Sequence, residues 1–92
     1  MAYGTKQLTK EGVEINLHTP KTNIEEIEIN AYETVLVVNI PGNDFVEPYK
    51  YRDTFSDAFS VVDTKASLDR GILTILIPYK ESKRPKKIIV NE

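Results

Sequence analysis

A chain of 92 residues suffices for one domain with a limited core, and none of its apolar runs approaches the roughly 18–20 residues of a membrane-spanning helix. Forty per cent hydrophobic and 28% charged residues suit a folded, water-soluble protein, and the lack of cysteine excludes disulfides and thiolate metal sites. The net charge of −2 is unevenly spread: residues 1–79 carry −5 and residues 80–92 carry +3, from Lys80, Lys83, Arg84, Lys86 and Lys87 against Glu81 and Glu92. An acidic body with a basic tail suits self-association or an anionic partner, although such tails are usually just solvated. Met1-Ala2-Tyr3-Gly4-Thr5-Lys6 lacks the apolar stretch of a signal peptide, so a cytoplasmic setting is expected.

Along the chain, hydrophobic alternation dominates and helical periodicity is nearly absent. Val13-Glu14-Ile15-Asn16-Leu17 alternates apolar with polar, as a half-buried strand does. His18 to Asn23 reads as a loop, because Pro20 lacks a backbone donor and Asn23 favours turns. Ile27-Glu28-Ile29 alternates again and Val35 to Ile40 is a β-branched run, with Asn30-Ala31-Tyr32-Glu33 predicted to connect them as a hairpin. Pro41-Gly42-Asn43-Asp44 ends that run. Between Phe45 and Val62, apolar residues at mostly odd positions predict strands with a break near Asp53. Ala66-Ser67-Leu68 and Ile72 to Ile77 follow, joined by Asp69-Arg70-Gly71 and stopped by Pro78. The charged segment 79–87 reads as an extended tether to Ile88-Ile89-Val90. Six to eight strands without a helix predict an all-β sandwich of two antiparallel sheets.

The residue inventory does not support catalysis. His18 is the only histidine, and a metal site needs further ligands at suitable spacing. Glu26 and Glu28 occupy the polar phase of a strand, the glycines form no phosphate-cradling loop, and no serine has a base to activate it. Tyr49-Lys50-Tyr51-Arg52 interleaves aromatic and basic residues in the manner of single-strand nucleic-acid surfaces. Strand alternation, however, puts the tyrosines on one face and the cations on the other, and the acidic body lacks a nucleic-acid footprint. No cofactor, nucleic acid or membrane partner is expected.

Three landmarks resemble the α-crystallin domain of small heat-shock proteins. Residues 27–42, ending in Ile40-Pro41-Gly42, are similar to the family's early hairpin and its Leu-Pro-Gly. Ala66-Ser67-Leu68-Asp69-Arg70-Gly71-Ile72-Leu73, followed by an alternating strand and a proline, resembles the signature Ala-x-x-x-Asn-Gly-Val-Leu. Arg70 stands where asparagine is usual, and Ile72 where valine is. Ile88-Ile89-Val90 is similar to the C-terminal Ile-x-Ile/Val motif. The signature set is thus Pro41, Gly42, Ala66, Leu68, Gly71, Ile72 and Leu73, with Ile88 and Val90 as the implied oligomerisation motif.

The resemblance implies an immunoglobulin-like sandwich, with a short N-terminal arm (1–22), a compact domain (23–79) and a C-terminal extension (80–92). It implies an ATP-independent holdase that self-associates as a dimer or larger homo-oligomer and binds unfolding client proteins. Ile88 and Val90 would fill adjacent pockets on a neighbour; the other reading makes 88–90 a last strand of the chain's own sheet. Only 23 residues separate Gly42 from Ala66, far fewer than in the family, which speaks against exchange of a loop between partners. A non-chaperone structural or adaptor module, as in a viral particle, is the alternative function.

Overall fold

Wherever apolar and polar residues alternate, the chain is extended. The computed structural model describes residues 3–84 and 86–92, and among them it contains seven strands, three short 3-10 turns and no α-helix. The strands are β1 (Tyr3–Leu8), β2 (Gly12–His18), β3 (Glu28–Tyr32), β4 (Val35–Ile40), β5 (Tyr49–Thr54), β6 (Lys65–Asp69) and β7 (Ile72–Pro78). They form two antiparallel sheets, one in the order β1-β2-β7-β6 and the other β3-β4-β5. The fold is the expected all-β sandwich.

Register explains the core. Ile15 pairs with Ile75, Leu17 with Leu73 and Val13 with Ile77, so these six side chains share the inner face of the four-stranded sheet. Leu36, Val38 and Ile40 project from β4 to meet them, and all nine are buried. Each central strand therefore has an inner apolar phase, buried against the facing sheet. Val61 and Phe55 seal one end of this core, and Tyr49 and Tyr51 flank it from β5 while Lys50 and Arg52 face solvent. That separation of tyrosines from cations is the one strand alternation requires.

Three details differ from expectation. Tyr3–Leu8, read as part of an arm, pairs with β2 over six residues and so enlarges the sheet. Residues 30–32 continue β3, because Tyr32 pairs directly with Val35 across a two-residue Glu33-Thr34 turn. Asp53 does not break a strand: β5 runs through it to Thr54, and the chain leaves the sheet only at Phe55, whose N–H donates to the Thr34 carbonyl. After that Phe59 makes a single bridge to Tyr79, and the two rings stack at 4.9 Å.

Candidate interaction site

A sandwich of four strands over three has two open sides, and the chain closes them differently. On one side, edge strand β1 faces edge strand β5. The inward positions of β1 are Gly4, Lys6 and Leu8, opposite Leu17, Ile15 and Val13. Lys6 thus points a cation between the sheets, where its Nζ donates to Asp53 Oδ2 at 2.6 Å and lies 5.4 Å from the Phe55 ring centre. The Tyr51 hydroxyl donates to the same oxygen at 2.7 Å and the Thr54 N–H to Oδ1 at 2.9 Å. Partial burial by itself would raise the Asp53 pKa, but hydrogen bonds from Lys6 and Tyr51 and the Lys6 charge outweigh it. The carboxyl titrates below its usual range. Burial, then the bond to Asp53, pushes the Tyr51 phenol well above its own. This side is latched by a charged cluster.

On the other side lie the edges of β3 and β6. Ala66 pairs with Ile75 and Leu68 with Leu73, so both point inward from β6; Ile29 and Ala31 do the same from β3. Yet Ala66 and Ala31 are exposed, and Leu68, Ile27 and Ile29 are only half-buried. The 3-10 turn Val61–Asp63 (η2) packs on β3 and β7, filling one end of this gap with the buried Val61. The rest is an apolar mouth whose floor is the core and whose walls are two unpaired strand edges.

Two turns frame the site. Asp69 pairs with Ile72 across Arg70 (φ 50°) and Gly71 (φ 79°), both left-handed, as a tight hairpin of primed type demands. A Cβ on Gly71 would meet only ordinary contacts, so its backbone angle is what requires glycine. Gly42 has the opposite reason: a Cβ there would lie 2.5 Å from the Pro48 ring. Beside it Asn43 Oδ1 accepts from the N–H groups of Phe45 and Val46, and its Nδ2 donates to the carbonyls of Pro20 and Lys21.

Sequence comparison finds no matching family model, and no curated protein matches the chain. The structure matches several solved ones. A small heat-shock protein from Xylella fastidiosa, whose crystal structure reveals a distinct high order structure, superposes with a TM-score of 0.77 at 15% identity, over 100% of this chain and 97% of that one. Heat shock protein 16.0 from Schizosaccharomyces pombe gives 0.71 at 16% identity, covering 99% and 97%. The hspA from Xanthomonas axonopodis gives 0.74 at 14%, covering 86% and 93%. The fold is that of the small heat-shock proteins.

Within this α-crystallin-type fold the anticipated residues separate into three groups. Leu73 is core, while Ile72 faces outward and is 39% exposed. Ala66 and Leu68 line the mouth, and Pro41, Gly42 and Gly71 shape turns. Ile88 and Val90 lie in no strand and are 78% and 87% exposed, apart from any sheet of their own chain. The Lys6–Asp53–Tyr51 cluster had no sequence signal, since its members are 45 or more positions apart except for Tyr51 and Asp53. Among the described residues no group of three His, Asp or Glu converges as a metal site would, and no helix is long and apolar enough to cross a membrane.

Proposed function

We propose that this protein is an ATP-independent, non-enzymatic holdase of the small heat-shock kind. It assembles through Ile88 and Val90 and uses exposed apolar surface to hold unfolding proteins in the cytoplasm. One observation carries the reading: an apolar mouth stands open on the body while an apolar triplet stands exposed on the tail. Side chains two apart on an extended segment point the same way, about 7 Å apart. Ile88 and Val90 therefore match the pitch of Ala66 and Leu68, and the small alanines leave room for larger partners. Residues 80–92 act as the extension and the sandwich as the domain. Client capture needs no catalysis, because covering apolar segments of an unfolded chain shifts its aggregation by mass action.

The extended tail supports docking between chains. The radius of gyration is 15.4 Å and the longest dimension 62 Å, against about 12 Å expected for a compact chain of this length. The tail is therefore directed away from its own body. Light scattering over a concentration series tests this for the intact chain and for Ile88→Ala/Val90→Ala. A large assembly that the double substitution dissolves is the expected result. Equal, small masses for both would sink docking. Suppression of aggregation of a heat-labile protein tests the holdase reading separately. The second reading, a structural or adaptor module, draws on the polar residues 3–8 being built into the sheet as β1, and it predicts one defined partner and no broad client binding.

A further inference from the structure

β1 is held to the body by little besides its backbone. It pairs only with β2, as the outermost strand of its sheet, and its side chains from Gly4 to Leu8 are all exposed. Beneath it lie buried aliphatics: Leu17 opposite Gly4, Ile15 opposite Lys6 and Val13 opposite Leu8. Gly4 offers Leu17 no side chain to pack on. Lys6 brings a cation over the Phe55 ring and ties it to Asp53, in an ion pair whose lysine is half-exposed. Such pairs stabilise weakly. An edge strand with few buried apolar contacts opens locally well before the core does.

The hydrogen bonds show what such an opening leaves behind. Gly12 N–H donates to the Thr9 carbonyl, while the Glu11 carbonyl accepts from Tyr79 N–H on the other side of the strand. Bonding sides alternate along a strand, so Glu14 and Asn16 exchange their N–H and C=O groups with Gln7 and Thr5, and Ile15 and Leu17 direct theirs to β7. With β1 lifted, β2 keeps its place on β7 and presents a free edge. Beside that edge stand Ile15 and Leu17, with Phe55 no longer capped by Lys6. A segment with aliphatic side chains at alternate positions would form the same ladder, and would bury apolar surface where β1 places glycine and lysine. We propose that β1 is a displaceable occupant of a docking edge on β2, and that an extended apolar segment of an unfolding protein takes its place, pairing with Glu14 and Asn16. The occupant's chemistry rests on the holdase reading above, and the edge adds to that reading a place on the body where a client is held. Loss of the Lys6–Asp53 contact frees the edge more often and so raises the apparent affinity.

A fluorescent peptide of alternating valine and threonine, with lysine at both ends, serves as the probe. When it binds, amide hydrogen exchange resolved by mass-spectrometric fragmentation should quicken at Thr5 and Gln7, released with β1. Exchange should stay slow at Glu14 and Asn16, which gain new partners. Protection gained at β3 and β6 with β1 unchanged would place the peptide in the mouth and overturn the proposal. The lack of cysteine permits a lock, because Gln7 and Glu14 are facing partners on the solvent side of the sheet and neither is buried. Gln7→Cys/Glu14→Cys is compared with itself, bridged and reduced. Bridging should weaken peptide binding by about tenfold or more. Equal binding by the two forms, or none by either, would sink displacement. Asp53→Asn, which needs no bridge, should tighten binding about two- to fivefold, the reach of one part-exposed ion pair; unchanged or weaker binding counts against the proposal. If the edge fails these tests while the intact chain still suppresses aggregation of a heat-labile protein, the holdase reading stands and only this site is lost. If suppression is absent as well, both fall.

Discussion

Asp53 shows how a single side chain can join two sheets. It takes three hydrogen bonds, from Lys6 on the opposite sheet, from Tyr51 two residues back, and from the Thr54 amide. Its pKa is lower in the folded chain than in the unfolded one, so the stabilisation is fully present above the ordinary carboxylate range. It is lost as the pH falls through the folded value. Thermal unfolding between pH 7 and pH 3 should therefore show Asp53→Asn less stable than the parent by about 0.5–1 kcal/mol near neutrality, since Lys6 is half-exposed. The difference should narrow as the pH falls below the ordinary carboxylate range. A gap that stays constant from pH 7 to pH 3 would mean that shape, not charge, is what the substitution removes.

Arg70 makes a second point at this scale. Its φ of 50° is one that asparagine tolerates better than a long side chain does. Arg70→Asn is expected to raise stability by about 0.5 kcal/mol. In a domain of this size that is a rise of about 2–4 °C in Tm by calorimetry. The turn itself was legible from Asp69-Arg70-Gly71; the latch was not, because nothing local marks Lys6 as inward-facing.

Elements differ in legibility for the same reason they differ in burial. β4 and β7 announce themselves, since Leu36, Val38 and Ile40, and Leu73, Ile75 and Ile77, fill every inner position with aliphatic side chains. β1 cannot be read this way. Its inner positions hold Gly4, Lys6 and Leu8, and it becomes a strand because β2 offers it an unpaired edge. β5 was half-legible: the tyrosines gave its phase, but Asp53 looked like a break until its partner on β1 was known. The β7 phase gives a direct test. Ile75→Ala, fully buried, should cost about 2–5 kcal/mol, while Ile72→Ala on the outer face of the same strand should cost under about 1 kcal/mol. Chemical denaturation of the two variants checks this, and equal losses would contradict the register.

For the molecule as a whole, landmarks scattered through the chain pointed to the fold that structural superposition then found at only 14–16% identity. A sandwich is specified by phase and turn chemistry more than by residue identity, so widely divergent chains can share it. The mouth was only partly legible: Ala66 and Leu68 were singled out, but Ile27, Ile29 and Ala31 become its other wall only when β3 is seen to be an edge. If that mouth takes the tail of a neighbour, raising salt from 50 to 500 mM should lower the average assembly mass. The intact chain should respond, and a chain with Lys86→Gln/Lys87→Gln much less so. Sedimentation velocity at fixed protein concentration would read both, and an identical response would remove the ionic contribution.

The inward lysine of β1 bears on how such a protein stays in solution. An edge strand offers its free amides and carbonyls to any passing strand, and an inward-pointing charge at its centre makes that offer costly to accept. Lys6→Leu would keep the ladder with β2 and extend the apolar inner face to the rim. The variant is expected to retain its folded spectrum by circular dichroism yet to lose filterable protein at high concentration. A sandwich that leaves an apolar mouth open between two sheet edges would then owe its freedom from aggregation, in part, to one misplaced-looking cation.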